Sequence, residues 1–148
     1  MKGTNRALHG GGFHHIAMRA SDFDATVRFY VEGLGFAPRI SWGQGDGRAV
    51  MLDTGDGNYL EVFAGGAKAA APGPAQAQAK PPAGTVLHFA LRTDDCDASV
   101  ARARKAGATI TVEPKDVEIP STPVTKVRIA FCTGPEGETV EFFQNATT

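Results

Sequence analysis

The sequence predicts an α+β fold in which a βαβββ module is written twice. The first observation is an internal repeat: a shift of 73 residues places residues 15–27 on residues 88–100 with seven identities in thirteen positions. The second is that each repeat passes from the two-residue period of a strand to the period of a helix and back to strand. A duplicated module therefore accounts for most of the 148 residues.

The first module opens with a strand, FHHIAMR, and continues into a helix that we expect over residues 22–33. The acidic segment SDFD favours the helix start, because carboxylates accept hydrogen bonds from the free N–H groups of the first turn. The glycines of EGLGF end the helical pattern. Three strand-like segments follow, separated by glycine-bearing turns: FAPRISW, RAVMLDT and YLEVFA.

The second module repeats this order with the strand LHFALR, the acidic segment TDDCD and a helix expected over residues 96–106. The strand ATITVE is followed by a Pro-rich excursion, PKDVEIPSTP, and then by the strands VTKVRIAFC and TVEFFQ. Cys96 takes the place of the apolar Phe23, so we interpret Cys96 as a core residue rather than a nucleophile.

The length of the chain fits one compact domain better than two independent ones. We expect a flexible N-terminal tail over residues 1–12, the first module over 13–64, an Ala/Pro/Gly-rich linker over 65–84 and the second module over 85–145. Together the two modules make one domain over residues 13–145.

Composition and charge exclude several classes of function. The net charge of -1 and the pI of about 6.4 do not provide the basic surface that nucleic acids or anionic membranes require. No apolar run approaches a membrane span, and no secretory signal opens the chain, so we expect a cytoplasmic protein. The two cysteines lack the spacing of a metal-binding pair, and they do not suggest a disulfide framework.

One histidine and one glutamate recur at equivalent places in the two modules. His15 and His88 lie in the opening strands, and Glu61 and Glu141 interrupt the apolar closing strands. A carboxylate among core residues is costly unless it is paired or bound to a metal. Imidazoles and carboxylates are ordinary ligands of nickel, zinc, iron and manganese. The repeat therefore predicts one metal site with four ligands: His15, Glu61, His88 and Glu141.

Three further polar residues lie beside these candidates. Arg19 and Arg92 share the strand faces of the histidines, where they could bind an anionic group of a substrate; a salt bridge with a nearby carboxylate is the alternative. His14 corresponds to Leu87 in the second module, so we interpret His14 as a packing residue.

From about residue 13 to 144 the chain resembles the vicinal oxygen chelate superfamily, which includes glyoxalase I, methylmalonyl-CoA epimerase, extradiol dioxygenases and the fosfomycin and bleomycin resistance proteins. The resemblance rests on the repeated opening pattern H-x-A-[ML]-R-x-x-D and on the closing strand with Glu. It implies an eight-stranded mixed-sheet cup around one metal, and commonly a homodimer. The ligand order His, Glu, His, Glu matches glyoxalase I, whereas epimerases have Gln at the position of Glu61.

The resemblance to glyoxalase I implies a lyase that converts the hemithioacetal of a 2-oxoaldehyde and a thiol into a 2-hydroxyacyl thioester. Glu141 would take the C1 proton, with Glu61 as the mirror-related carboxylate, and Arg19 matches an arginine that holds the carboxylates of glutathione. The implied cofactor is one divalent ion, nickel or zinc first, with cobalt, manganese or iron as alternatives. The chain departs from the pattern at Gly65, where glyoxalase I has Asn.

Two other classes of function fit the same sequence. A non-catalytic resistance protein would sequester a drug or metabolite in the cup, and another enzyme of the superfamily, such as an epimerase or an extradiol dioxygenase, would act on a different substrate. The sequence leaves open whether the cup closes within one chain or between two. In each case the expected partner is a small molecule rather than a nucleic acid or a membrane.

Overall fold

The computed structural model describes residue 7 and residues 12–68 and 80–145. The first module contains β1 (His15–Arg19), α1 (Phe23–Arg28), β2 (Ala37–Trp42), β3 (Ala49–Asp53) and β4 (Tyr59–Phe63). The second contains β5 (Phe89–Arg92), α2 (Cys96–Lys105), β6 (Thr109–Ile119), β7 (Thr125–Thr133) and β8 (Thr139–Gln144). The predicted α+β fold with two βαβββ modules is confirmed.

Most of the predicted tail and the middle of the predicted linker lie outside the described residues, so these boundaries stay predictions. Within the described ranges, no helix is long and apolar enough to cross a membrane.

The two modules have the same sheet topology. The strand order is β1-β4-β3-β2 in the first sheet and β5-β8-β7-β6 in the second, with β1 parallel to β4 and β5 parallel to β8. The eight described strands thus form two sheets of four rather than one continuous sheet. The opening strand of each module lies at a sheet edge, next to the closing strand that carries the glutamate.

Both helices begin as the acidic segments predict. The side chains of Asp22 and Asp95 accept hydrogen bonds from the N–H groups of Ala25 and Ala98, at 3.0 and 2.9 Å. A π-helical turn, Phe29–Gly33, extends the first helix to the predicted end. The buried faces of the helices pack on their sheets, and Cys96 is fully buried, which confirms its assignment to the core.

The segment PKDVEIPSTP differs from its prediction. We expected an excursion from residue 114, but β6 continues through Pro114 to Ile119. Its register with β7 shifts twice, between Ile110 and Val112 and between Val112 and Lys115. Because β6 is an edge strand, a proline without an N–H group is tolerated there, and the irregular pairing absorbs it.

The modules pack against each other through both cores. Leu34, Phe89 and Leu91 each contact the buried cluster of the first module and that of the second. Close approach at this boundary requires Gly33, since a Cβ atom at that position would lie 2.5 Å from the Cβ atom of Ala106. The orientation of the modules therefore depends on a small residue at a helix end.

A carboxylate of the second module also anchors the first helix. Glu136, in the turn between β7 and β8, accepts hydrogen bonds from Ser21 Oγ at 2.7 Å, Thr26 Oγ1 at 2.8 Å and the N–H group of Asp22 at 3.0 Å. Burial raises the pKa of Glu136, but these hydrogen bonds outweigh burial and lower the pKa to about 2. The carboxylate therefore stays ionised over the whole neutral range.

Glu138 makes a second link between the modules. Its carboxylate accepts a short hydrogen bond from the hydroxyl group of Tyr30, a fully buried residue of the first module. Burial, followed by the charge of Glu138, raises the pKa of Tyr30 far above its usual range, so the hydroxyl group keeps its proton and remains a donor.

Candidate metal centre

The first His–Glu pair lies on two adjacent parallel strands. Ala17 of β1 is the Cα partner of Glu61 in β4, and His15 lies two residues before Ala17. Side chains two residues apart share one face of a strand, so His15 and Glu61 lie on the same face. The Nε2 atom of His15 is 3.5 Å from the Oε2 atom of Glu61.

The second module repeats this arrangement. Ala90 of β5 is the Cα partner of Glu141 in β8, and His88 immediately precedes β5. The Nε2 atom of His88 lies 3.0 Å from the Oε2 atom of Glu141. Each module therefore places one imidazole nitrogen beside one carboxylate oxygen.

Burial distinguishes these two carboxylates from the other acidic groups on the sheets. Glu61 and Glu141 are each 8% exposed, whereas the side chains of His15 and His88 are 40% and 39% exposed. Burial raises the pKa of Glu141, and the neighbouring His88 offsets part of that rise. A buried carboxylate beside an accessible imidazole is a donor set that fits a divalent cation.

His14 has a role that sequence reasoning missed. Its Nδ1 atom is 2.9 Å from Nδ1 of His15, so one ring donates to the other and the Nε2 atom of His15 is directed to Glu61. His14 is exposed and its ring contacts Tyr59, with centroids 5.2 Å apart, so it packs on a surface ring rather than in the core. The HH dipeptide is the signal that could have indicated this contact.

An apolar surface surrounds the first carboxylate. Met51 is the Cα partner of both Glu61 and Ile40, which places these three side chains on one face. Trp42 lies on the same face and contacts the ring of Phe63 edge to face, with centroids 6.0 Å apart. Ile40 and Trp42 are 55% and 40% exposed, so apolar surface is available to a ligand.

The two His–Glu pairs do not converge within one chain. Among residues 12–68 and 80–145, no three His, Cys, Asp or Glu side chains lie close enough together to hold a metal ion. The structure therefore brings His15 to Glu61 and His88 to Glu141, but it leaves the pairs apart. Each pair is half of the predicted ligand set.

The two candidate arginines have different surroundings. Arg19 donates a hydrogen bond to the carbonyl oxygen of Ala64 at 2.8 Å and lies over the ring of Phe63. Arg92 instead faces a cleft between the modules, where its NH1 atom is 3.9 Å from Oδ2 of Asp56. The two arginines, which we expected to bind an anionic group in equivalent ways, thus make different contacts.

Comparison with curated proteins identifies relatives that cover most of the chain. YwbC, an uncharacterized protein of Bacillus subtilis (strain 168), is 31% identical over 134 residues, which cover 88% of this chain and 94% of YwbC. YaeR, an uncharacterized protein of Escherichia coli, is 30% identical over 140 residues with the same coverage of both proteins.

Solved structures share the fold. TnmS3, an antibiotic binding protein from Streptomyces sp. CB03234, matches with a TM-score of 0.65 and 24% identity over 93% of this chain and 98% of that protein. A glyoxalase I mutant from Zea mays matches with a TM-score of 0.64 and 22% identity over 90% of this chain and 44% of that protein. Residues 12–142 match the model of the Glyoxalase/Bleomycin resistance protein/Dioxygenase superfamily. The chain belongs to the Glyoxalase/Bleomycin resistance protein/Dioxygenase superfamily.

Proposed function

We propose that the chain is a metal-dependent lyase of the glyoxalase I type, acting on the hemithioacetal of a 2-oxoaldehyde and a thiol. The observation that carries this proposal is the repeated pairing of an accessible imidazole with a buried carboxylate, His15 with Glu61 and His88 with Glu141. Nickel or zinc is the expected ion, because both accept imidazole and carboxylate ligands together.

The complete site, in this proposal, forms in a homodimer. Each pair offers two ligands, and the two pairs lie apart within the described part of one chain. β1 and β5 are edge strands, so both pairs lie where a second sheet can be placed alongside. The first pair of one chain would then face the second pair of its partner, and the symmetry of the dimer would generate two equivalent sites.

A divalent ion held there would polarise the substrate oxygens and stabilise the negative charge of an enediolate. Glu141 is the proposed base: its carboxylate takes the proton from C1 of the hemithioacetal and returns it to C2, while the proton of the C1 hydroxyl group passes to the oxygen on C2, which yields the thioester without loss of atoms. Glu61 is the mirror-related carboxylate, and Arg19 is the candidate for binding an anionic group of the substrate.

The test measures metal content and turnover in the same preparation. The protein is purified, its nickel and zinc are quantified, and isomerisation of methylglyoxal hemithioacetals is followed with glutathione and with other thiols. Turnover that disappears with chelation and returns with nickel, zinc or cobalt supports the proposal. A protein that binds none of these ions and converts no hemithioacetal contradicts it.

A second candidate function is sequestration of an apolar drug or metabolite without turnover. The exposed Ile40 and Trp42 beside Glu61 favour this function, as does the similarity to an antibiotic binding protein. Sequestration predicts that an aromatic antibiotic binds chelator-treated protein as tightly as untreated protein. The lyase proposal predicts that chelation removes substrate turnover.

A further inference from the structure

The boundary between the two modules has two ends, which correspond to each other in the repeat. One of these ends is closed by side-chain hydrogen bonds between the modules. There, Glu136 of the second module accepts hydrogen bonds from Ser21 and Thr26 of the first. Glu138 accepts another from Tyr30. The turn between β7 and β8 thus fills this end with its own side chains.

The other end is open. Glu141 is equivalent to Glu61, so the residues five positions before them, Glu136 and Asp56, are also equivalent. The 73-residue shift of the repeat makes Asp94 and Ser99 the equivalents of Ser21 and Thr26. Asp56 makes no hydrogen bond with Asp94 or Ser99. All three residues line a cleft of about 620 Å³. This volume is within the range of small-molecule sites in proteins.

Several sequence differences keep this end open. Asp56 is one methylene group shorter than Glu136, and its Oδ1 atom accepts hydrogen bonds within its own turn, including one from Asn58 Nδ2 at 2.8 Å. Asp94 presents a carboxylate where Ser21 presents a hydroxyl donor, so an ionised Asp94 cannot donate a hydrogen bond to Asp56.

The third difference is Thr93, which stands where the first module has Ala20. Its Oγ1 atom accepts a hydrogen bond from the N–H group of Asp95 at 3.1 Å and lies 2.8 Å from Oγ of Ser99. Thr93 is thus the partner of the N–H group of Asp95 and the hydroxyl group of Ser99, whose equivalents bind Glu136 at the closed end. The open end therefore needs no carboxylate from the neighbouring turn.

The cleft combines an apolar floor with an exposed cation, Arg92, whose contact with Asp56 is a long one at 3.9 Å. Side chains from both cores form the floor: Leu34, Phe36, Leu60, Leu91 and Phe142. Arg92 lies at the wall with a side chain 69% exposed, and among the described residues it makes no hydrogen bond within normal distance. Its equivalent Arg19, by contrast, is bound to Ala64 O at 2.8 Å.

We propose that this cleft binds a small organic anion, an apolar ring or chain with one carboxylate or sulfonate group that pairs with Arg92. The carboxylates of Asp56 and Asp94 at the rim disfavour a second negative charge on the ligand. The site borders the first His–Glu pair, since His15 contributes to one wall, but it does not require a metal. A guanidinium beside an apolar surface is suited to such a ligand.

The first test uses 1-anilinonaphthalene-8-sulfonate, an aromatic sulfonate whose fluorescence rises in apolar surroundings, with metal-free protein. Arg92→Gln should weaken binding at least about tenfold, because a charge-assisted hydrogen bond is lost. Arg104→Gln, which changes an exposed arginine of α2 outside the cleft, is the control and should leave the Kd unchanged. Equal Kd values for the two variants overturn the proposal.

In the second test, residues of the open end are replaced by their equivalents from the closed end. The triple variant Asp56→Glu, Thr93→Ala and Asp94→Ser provides the longer carboxylate and the hydroxyl donor of the other end and frees the groups that Thr93 satisfies, so it should narrow the cleft and weaken probe binding. Amide chemical shifts should change near residues 54–58 and 91–94 when the probe binds wild type, and changes confined to residues 40–42 and 49–51 contradict the location. Nickel content, measured in parallel, should be the same in both proteins, which separates this proposal from that of the metal centre.

Discussion

The Nε2 atom of His88 lies 3.0 Å from the Oε2 atom of Glu141, with a carboxylate that is 8% exposed. The contact follows from the parallel pairing of β5 with β8, which aligns Ala90 with Glu141. Among the described residues, the imidazole of His88 is the basic side chain that lies beside this carboxylate, and burial raises the pKa of Glu141. The contact therefore places an imidazole nitrogen and a carboxylate oxygen side by side.

Replacing Glu141 tests its role as the base. We expect Glu141→Gln to reduce hemithioacetal turnover about 10²–10⁴-fold, because the amide keeps the shape of the side chain but cannot accept the C1 proton. Thermal unfolding should show that the variant remains folded. Glu118→Gln, which changes a 67% exposed carboxylate in β6, is the control and should retain full turnover. Unchanged turnover in Glu141→Gln rejects Glu141 as the base.

Mixing two inactive variants tests whether the site is shared between chains. In the proposed dimer, a chain with Glu61→Gln and a chain with Glu141→Gln form one doubly altered site and one intact site. After unfolding and joint refolding, random pairing should restore about one quarter of wild-type turnover. Sites closed within single chains would give no recovery, since every chain then carries one defect.

The two His–Glu pairs of the candidate metal centre were predictable from sequence because they depend on strand alternation. The two-residue period places His15 on the face of Ala17, and the repeat supplies the second pair. The separation of the pairs was not predictable, because alternation fixes the face of a side chain within its sheet and does not fix the position of one sheet against another.

His14 and Pro114 show two further limits of sequence pattern. The repeat assigned His14 to packing because it corresponds to Leu87, but its side chain is exposed and contacts the ring of Tyr59. Pro114 suggested an excursion, but its position in an edge strand allows β6 to continue past it.

His14 should tune metal affinity through His15. Removing the hydrogen bond between the two Nδ1 atoms frees the His15 ring to rotate, so His14→Ala should weaken nickel or zinc binding about 10–100-fold. Leu87→Ala changes the equivalent exposed residue of the second module and should leave the affinity unchanged. Isothermal titration of both variants decides the question, and equal affinities would remove His14 from the centre.

Glu136 should make a pH-dependent contribution to stability. Its pKa is lowered from 4.5 to about 2, so its ionised form stabilises the fold above about pH 4.5, and this contribution is lost as the pH falls through about 2. We expect Glu136→Gln to cost about 1–2 kcal/mol near neutrality, allowing for solvent screening. The stability difference from wild type should shrink as the pH falls from 4.5.

The measurement is urea unfolding of metal-free protein at several pH values, which keeps metal release at low pH out of the comparison. Glu118→Gln, which changes an exposed carboxylate in β6, is the control and should alter the stability little at any of these pH values. A stability difference between Glu136→Gln and wild type that stays constant from pH 3 to 7 would assign the effect to shape rather than charge.

Gly33 tests the packing of the modules. A Cβ atom at this position would lie 2.5 Å from Cβ of Ala106, so Gly33→Ala should destabilise the protein by about 1–3 kcal/mol through overpacking. Gly47→Ala, at a position with open space, is the control and should be nearly neutral. Adding Ala106→Gly to Gly33→Ala removes the opposing methyl group and should recover most of the loss. In a double-mutant cycle measured by thermal unfolding, strict additivity of the two substitutions would show that the contact does not set the distance between the modules.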